Sequence, residues 1–193
     1  MITLIIVDPQ YDFIEGGKLP VKGGTKALDN IVNLIKSGEV GEVIITQDAH
    51  NPDHCSFKDF GGQFPEHCIK DSHGYLVYQP IIDTIEEKNI KYSTVEKGVN
   101  KEEFSGFTGK YEEYYDTIEF DITEEDYTID IRKSEVVVVC GLAGDICVLN
   151  TIKATLPAIP NLQVFVKGTA SLDGGDTLTK YMEENNIKEY KFQ

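Results

Sequence analysis

Residues 136–151, VVVVCGLAGDICVLNT, combine an apolar run, a glycine-bounded turn and a helical pattern. Four valines and Cys140 follow one another without a polar residue, as in a parallel strand buried on both faces. The pattern predicts a helix over 145–156, with Cys147 in its first turn. The N–H groups and dipole of a helix N-terminus favour a thiolate, so this position predicts a lowered pKa and a nucleophilic role for Cys147. A small core residue is the alternative; Cys140 itself is expected to be an inert core residue.

Short apolar strands and helices alternate along the rest of the chain. The predicted strands cover 2–7, 43–46, 91–95, 136–140 and 162–166, with a further candidate at 187–192. The predicted helices cover 25–37, 81–88, 145–156 and 175–186. Strands that alternate with helices and are continuously apolar predict an α/β fold, in which helices cover both faces of a parallel sheet.

Polar or reactive residues follow four of these strands. Asp8, Asp48 and Lys97 come just after the first three, and Cys147 lies in the turn after the fourth. Open α/β sheets bind ligands beyond the carboxyl ends of their strands, so we expect these four residues to converge in one crevice. A turn-capping aspartate at Asp8 and a solvated lysine at Lys97 are the alternatives.

Three of the four histidines lie within residues 48–68, DAHNPDHCSFKDFGGQFPEHC. A carboxylate with two imidazoles leaves coordination positions open, which suits a catalytic metal better than a structural one. A polar loop whose histidines pair with nearby acids is one alternative. Another is a structural zinc site that uses Cys55, Cys68 and two histidines, although its spacing is not that of a zinc finger or ribbon.

Composition narrows the functional class. The chain has 193 residues, 40% of them hydrophobic, which is enough for one domain with a real core. A net charge of −15 argues against binding to nucleic acids or to anionic membranes. Four cysteines are too few for a disulfide scaffold. The start, MITLIIVDPQ, has neither a basic leader nor an apolar run of membrane-spanning length, so a cytoplasmic protein is expected.

An acidic segment, residues 110–134, interrupts the alternation. It holds nine acids and four tyrosines, and its TIEFDIT and TIDIR stretches alternate as exposed strands do. We interpret it as an insertion, with a hairpin as its predicted structure, within a single domain that spans 1–193. A solvated surface feature and a partner or subunit contact are its two possible roles.

Five motifs resemble those of the nicotinamidases, a branch of the isochorismatase-like cysteine hydrolases. They are DPQYDF at 8–13, QDAHNPDHCSF at 47–57, FPEHC at 64–68, EKG at 96–98 and GLAGDICV at 141–148. The match runs from residue 2 to about residue 156, in the expected order.

The resemblance implies a three-layer fold with a six-stranded parallel sheet, and a role in NAD salvage. It implies that nicotinamide is hydrolysed to nicotinate and ammonia through a thioester. Cys147 would be the nucleophile, Asp8 its general base and Lys97 the third member of the triad. A cis peptide bond between Leu142 and Ala143 would direct the Ala143 N–H into an oxyanion hole shared with the Cys147 N–H.

The resemblance also implies a divalent metal, with zinc as the first expectation and iron or manganese as alternatives. The implied ligands are Asp48, His50 and His67. His54 is an open candidate for a fourth ligand, and Phe13 and Phe64 would flank the pyridine ring. Two positions depart from the family pattern: Tyr11 stands where asparagine is common, and Phe64 where tryptophan is common. Phenylalanine still stacks on a ring, but the substrate preference could shift.

The expected partner is therefore a small-molecule substrate, and neither a nucleic acid nor a membrane is expected. The sequence leaves open whether the protein forms a homo-oligomer. One rival is a family amidase that acts on another small carboxamide or carbamoyl compound. The other is a non-enzymatic metal-binding or redox-sensing domain, whose thiol would react with peroxide but turn over no amide.

Overall fold

The computed structural model describes residues 1–98 and 131–192. The strands are β1 (Ile2–Val7), β2 (Val40–Asp48), β3 (Lys91–Lys97), β4 (Val136–Gly141), β5 (Gln163–Thr169) and β6 (Lys188–Glu189). The helices are α1 (Gly24–Lys36), α2 (Gln79–Glu87), α3 (Leu149–Thr155) and α4 (Asp176–Glu184). Every strand and helix predicted outside the acidic segment 110–134 is present, with boundaries that differ by a few residues.

The six strands form one sheet in the order β3-β2-β1-β4-β5-β6, and every neighbouring pair is parallel. The predicted six-stranded parallel sheet is confirmed. All six residues of β1 are buried, because this strand lies inside the sheet with helices on both sides. This position explains why every residue of its sequence except Thr3 is apolar, rather than every second one.

Side chains of β1 pack into two separate hydrophobic cores, because successive residues of a strand face opposite sides of the sheet. Leu4 and Ile6 pack into the core formed with α1 and α2. Ile5 and Val7 pack into the core formed with α3 and α4. The protein therefore has the three-layer architecture that the alternation predicted.

The strand β3, KYSTVEK, differs from its neighbours because it lies at the edge of the sheet. Its burial is uneven, and Tyr92 is 40% exposed. The strand nevertheless ends at Lys97, which is buried and points its ammonium group into the site at the carboxyl edge.

The helix predicted over 145–156 begins differently from the expectation. Residues Gly144–Val148 form a π-helical turn, and α3 follows from Leu149. Gly144 donates its N–H to the carbonyl of Ala170 at 2.8 Å, so the turn is anchored to the neighbouring connection before the helix begins. Single π turns of this kind occur frequently at functional sites.

Most of the acidic segment 110–134 lies outside the described residues, so its role as an insertion stays a prediction. Its last residues form a short 3₁₀ turn, Ile131–Lys133, that leads into β4. None of the helices in the described ranges 1–98 and 131–192 is both long and apolar enough to cross a membrane.

Candidate active site

The four residues predicted at strand ends meet in one cluster, in which Asp8, Asp48 and Lys97 are buried and Cys147 is half-buried, and their strands are adjacent in the sheet. Lys97 lies at its centre. Its Nζ atom is 2.7 Å from Oδ2 of Asp8, donates a hydrogen bond to Oδ1 of Asp48, and lies 3.6 Å from Sγ of Cys147. The predicted convergence is therefore confirmed, and Lys97 is a buried ion-pair partner rather than a solvated surface lysine.

Asp8 is oriented by a neighbour on β2 and leaves one oxygen available. Its Oδ1 atom accepts a hydrogen bond from the Thr46 hydroxyl at 2.6 Å. Its Oδ2 atom contacts the ammonium of Lys97, but among the described residues it receives no hydrogen bond of good geometry. We take this contact as an ion pair, because 2.7 Å brings the charges together even without the direction of a hydrogen bond. Oδ2 is thus the oxygen that can take up a proton.

Burial and charge together set the pKa values in this cluster. Burial raises the pKa of Asp8, and the charge of Lys97 only partly opposes this. Burial alone would lower the pKa of Lys97, but the carboxylates of Asp48 and Asp8 hold it well above its usual range. Lys97 is therefore the permanent cation of the site, and Asp8 is the group suited to exchange protons.

The expectation of a lowered pKa for the Cys147 thiol is wrong. Burial raises that pKa well above its usual range, the charge of Lys97 opposes the rise, and Asp8 and Asp48 add to it. The dipole of a single helical turn does not offset burial together with two carboxylates. The thiol therefore keeps its proton at rest and needs a base beside it.

The turn that carries Cys147 also has the predicted backbone feature. The peptide bond between Leu142 and Ala143 is cis. The Ala143 carbonyl accepts the N–H groups of Ile146 and Val148, both at 3.1 Å. Among the described residues, no backbone carbonyl accepts a hydrogen bond from the Ala143 N–H. Ala143 lines the same cleft as Cys147, so its N–H is a candidate donor to a developing oxyanion.

Asp48, His50 and His67 form the second half of the site. One ligand atom of each lies within 4.8 Å of the others, and all three residues are buried. Nδ1 of His50 is 2.9 Å from the Gly98 carbonyl, and Nδ1 of His67 is 2.7 Å from the Pro65 carbonyl. These carbonyls favour the tautomers with Nδ1–H, so both Nε2 atoms keep the lone pair that a metal needs.

Electrostatics also suits these three residues to metal binding. Burial alone would raise the pKa of Asp48, but Lys97 and His50 outweigh it and keep Asp48 a carboxylate. Burial lowers the pKa of His67, so its imidazole stays neutral near pH 7. One carboxylate and two imidazoles fit a divalent transition metal with open coordination positions.

His54 lies beside this set but outside it. Its ring stacks on His50 with centroids 4.1 Å apart, and its Nδ1 atom lies 2.7 Å from the Ser56 hydroxyl. The structural zinc alternative is not favoured either. Neither Cys55 nor Cys68 belongs to a metal-competent cluster among the described residues, and burial raises the pKa of Cys68.

An apolar cleft joins the two halves of the site. Phe13 and Phe64, the predicted ring-binding residues, line it together with Cys147 and the metal-ligand set. Phe13 is buried and Phe64 is half-buried, so both can contact a flat ligand. Sequence reasoning missed the remaining apolar lining, since nothing marks a single apolar residue in a loop as part of a site. These further residues are Leu19, Val21, Ile146 and Leu172.

Gln10 is another residue of the site that the sequence analysis did not predict, and it positions Asp48. The Gln10 side chain is fully buried. Its Nε2 atom donates to the Asp48 carbonyl at 2.8 Å, and its Oε1 atom accepts the Asp48 N–H at 2.8 Å. The amide thus holds the backbone of a metal-ligand candidate from both sides. The only sequence signal was its place in the DPQYDF motif, two residues after Asp8.

Comparisons with known proteins show the family and the fold of the chain. An isochorismatase domain model matches residues 3–188. A nicotinamidase/pyrazinamidase of Mycobacterium tuberculosis is 31% identical over 188 residues, which cover 95% of this chain and 94% of that protein. The structure of PnC1 from L. infantum in complex with nicotinate is 25% identical, with a TM-score of 0.75 over 99% of this chain and 92% of that one. A pyrazinamidase of Pyrococcus horikoshii in complex with zinc has the same fold, with 22% identity and a TM-score of 0.73 over 99% of both chains.

Proposed function

The chain belongs to the isochorismatase domain family, and we propose that it is a nicotinamidase, an amidohydrolase that converts nicotinamide to nicotinate and ammonia. One observation carries the proposal. A single buried ammonium, that of Lys97, links Asp8 and Cys147 to the metal-competent set that contains Asp48. The likeness to a nicotinamidase/pyrazinamidase at 31% identity supports the choice of substrate.

In the proposed reaction, Oδ2 of Asp8 takes the proton of the Cys147 thiol, whose raised pKa makes a base necessary. The thiolate sulfur attacks the carboxamide carbon, and the π electrons of the C=O bond move to the oxygen. The N–H groups of Ala143 and Cys147 stabilise this oxyanion, and one such donor is worth roughly 3 kcal/mol. Lys97 stays charged and stabilises the anions around it.

The tetrahedral adduct then collapses and the C–N bond breaks. Asp8 returns the proton to the leaving nitrogen, which departs as ammonia and leaves a thioester on Cys147. Asp8, again a carboxylate, takes a proton from water, whose oxygen attacks the thioester carbon. The C–S bond breaks, Asp8 returns the proton to the departing thiolate, and the carboxylic acid formed releases its own proton to solvent as nicotinate.

Asp48, His50 and His67 would hold a divalent metal, with zinc as the first choice and iron or manganese as alternatives. When bound, the metal would act as a Lewis acid toward the pyridine nitrogen, directly or through water. Phe13 and Phe64 would flank the pyridine ring. Together these groups orient the carboxamide toward Cys147, and such orientation lowers the barrier of the attack.

The test measures the ammonia and nicotinate released from nicotinamide by purified protein, before and after treatment with EDTA and after zinc is added back. We expect equal amounts of both products, loss of activity with EDTA and recovery with zinc. Cys147→Ala should abolish turnover. Cys55→Ala is the matched control, because Cys55 is also a half-buried free cysteine, and it should keep activity.

Folded, zinc-loaded protein that releases no ammonia from nicotinamide would overturn the proposal. Turnover of another small carboxamide or carbamoyl compound, dependent on Cys147, would then identify a different amidase of the family. A thiol that reacts with peroxide in a protein that hydrolyses no amide would indicate a redox-sensing domain.

A further inference from the structure

The connection after β5 lies against the turn that carries Cys147. The Ala170 carbonyl accepts the Gly144 N–H at 2.8 Å, and the Ala170 N–H donates to the Gly141 carbonyl at 3.3 Å. A Cβ atom added to Gly144 would lie 2.2 Å from Oγ of Ser171, which shows how closely the segments approach. Because β4 and β5 are neighbouring parallel strands, their carboxyl-end connections meet at one edge of the sheet.

Asp145 fastens the same connection further along. Its Oδ1 atom accepts the Leu172 N–H at 2.9 Å, and its Oδ2 atom accepts the Asp173 N–H at 3.2 Å. Asp173 in turn accepts the N–H groups of Gly175 and Thr177, at 2.8 and 2.9 Å, where α4 begins. The position of Leu172 is therefore fixed from the nucleophile turn on one side and from a helix on the other.

Leu172 is the residue of this connection that lines the cleft, together with Cys147 and Ile146. It is 44% exposed, whereas most large apolar side chains of the described residues are buried. A rigidly held, exposed apolar group at the mouth of an apolar cleft gains free energy when an apolar ligand covers it.

We infer that Leu172 is a specificity-determining residue, which covers the ring of an aromatic carboxamide and so favours aromatic amides over small aliphatic ones. Asp145 is the positioning residue that holds it there. The inference rests on the proposed function, because it names a further contact of the same substrate. It assigns no part of the chemistry at Cys147 to either residue.

The first test compares kcat and KM for nicotinamide and for propionamide. Leu172→Ala should raise the KM for nicotinamide about tenfold, with kcat nearly unchanged, because the contact is present in the ground state and the transition state alike. Leu172→Met should restore most of the affinity. Leu76→Ala is the matched control, since Leu76 is similarly exposed, at 47%, and does not line the cleft. An unchanged KM for nicotinamide in Leu172→Ala would overturn the inference.

The role of Asp145 is tested in a double-mutant cycle. Asp145→Ala should raise the KM for nicotinamide several-fold, and the double variant Asp145→Ala/Leu172→Ala should be no worse than Leu172→Ala alone. Asp145→Asn keeps one carbonyl acceptor and should fall between the wild type and Asp145→Ala. Effects of the two single substitutions that simply add would overturn the claim that Asp145 acts through Leu172.

A second readout does not depend on turnover. Alkylation of Cys147 by 2-iodo-N-phenylacetamide and by iodoacetamide is followed by mass spectrometry of its peptide. The wild type should favour the aryl reagent, and Leu172→Ala should lose that preference several-fold, whereas Leu76→Ala keeps it. Wild-type protein that shows this preference but no nicotinamide turnover would overturn the proposed function and leave the inference about Leu172 intact. Nicotinamide turnover, with an aryl preference that is the same in the wild type and in Leu172→Ala, would overturn the inference and leave the proposed function intact.

Discussion

The Nζ atom of Lys97 lies 2.7 Å from Oδ2 of Asp8, and both side chains are shielded from solvent. Lys97 is 6% exposed and Asp8 is 0% exposed. The same ammonium also donates a hydrogen bond to Asp48. One cation thus separates two buried carboxylates that would otherwise repel each other in a low-dielectric environment.

Lys97→Met should therefore cost about 3–5 kcal/mol of unfolding free energy, measured by urea unfolding in the presence of EDTA. The loss should also depend on pH. Without Lys97, the pKa of Asp8 in the folded state rises further above its unfolded value. A raised carboxyl pKa contributes stability at low pH that is lost as the pH increases through the folded pKa, so the deficit should be larger at pH 8 than at pH 5.

Lys70→Met is the matched control for this substitution. Lys70 pairs with Glu96 at 2.8 Å, but its side chain is 45% exposed. An exposed ion pair is worth about 0–1 kcal/mol, so the control should lose little and its loss should barely change with pH. Equal losses in the two variants would contradict a buried, charge-separating role for Lys97.

Gly98→Ala tests how the orientation of His50 is fixed. A Cβ atom at Gly98 would lie 2.5 Å from Cε1 and 2.7 Å from Nδ1 of His50, and the Gly98 carbonyl is the partner of that Nδ1. The ring must move, so we expect the Kd for zinc to rise about 10- to 100-fold, as measured by competition with a chromogenic chelator.

Gly38→Ala controls for the backbone cost of this change. Gly98 and Gly38 both have positive φ values, +65° and +85°, but a Cβ atom at Gly38 meets nothing within 4 Å. Both variants should lose about 1 kcal/mol or more of stability, because L-residues disfavour this region. Only Gly98→Ala should affect zinc; the same Kd in both variants would refute the role of Gly98.

Glu15 supplies the cap that the first helix lacks in its own sequence. Gly23, at the N-cap of α1, offers no side chain, and Glu15 instead accepts the N–H groups of Gly23 and Thr25 at 2.9 and 3.0 Å. Hydrogen bonds from the Thr25 side chain and backbone lower the pKa of Glu15 from 4.5 to about 2. A depressed carboxyl pKa contributes stability above the unfolded value, which is lost as the pH falls through the folded one.

Glu15→Gln should accordingly cost about 0.5–1 kcal/mol at pH 6.5, a modest figure because the carboxylate is exposed and screened by solvent. The difference from the wild type, measured by urea unfolding, should shrink between pH 4.5 and about pH 2. Glu87→Gln, at an exposed position at the end of α2, is the control and should cost little stability at pH 6.5. A cost for Glu15→Gln that is the same at every pH would mean that the carboxylate charge does not matter.

The fold was predictable because its signal is local. ITLIIV and VVVVC could be identified as buried strands from their apolar runs, which only Thr3 interrupts, and the structure places β1 and β4 inside the sheet. The convergence of Asp8, Asp48 and Lys97 followed from the strand-end rule, which needs only the chain order of strands and polar residues. Edge strand β3 was harder, because an edge position is a property of the whole sheet and KYSTVEK alone does not reveal it.

The residues that sequence reasoning missed act through contacts between distant segments. Gln10 meets Asp48 across 38 positions, and Asp145 meets Leu172 across 27. The pKa of Cys147 was predicted in the wrong direction for a related reason. A helix turn is one element, whereas the pKa of the thiol is set first by burial and then by Lys97, Asp8 and Asp48 at the ends of three other strands.

Gln10→Ala should separate positioning of the site from simple support of the fold. The Gln10 amide makes two hydrogen bonds to the backbone of Asp48 and donates a third to the Tyr75 carbonyl, all at 2.8 Å. Its loss leaves buried backbone groups without partners, which costs about 2–3 kcal/mol in urea unfolding. Asp48 would then also hold a metal less rigidly, and we expect the Kd for zinc to rise about tenfold.

Gln47→Ala provides the matched control, because Gln47 is also buried and donates to the same Tyr75 carbonyl at 2.8 Å. It makes no side-chain hydrogen bond to the backbone of Asp48 among the described residues, so its loss should cost about 1 kcal/mol and leave the zinc Kd unchanged. Equal zinc affinity in the two variants would reduce Gln10 to a structural residue. Weaker zinc binding in Gln10→Ala alone would show that an amide outside the ligand set controls the metal through the main chain of Asp48.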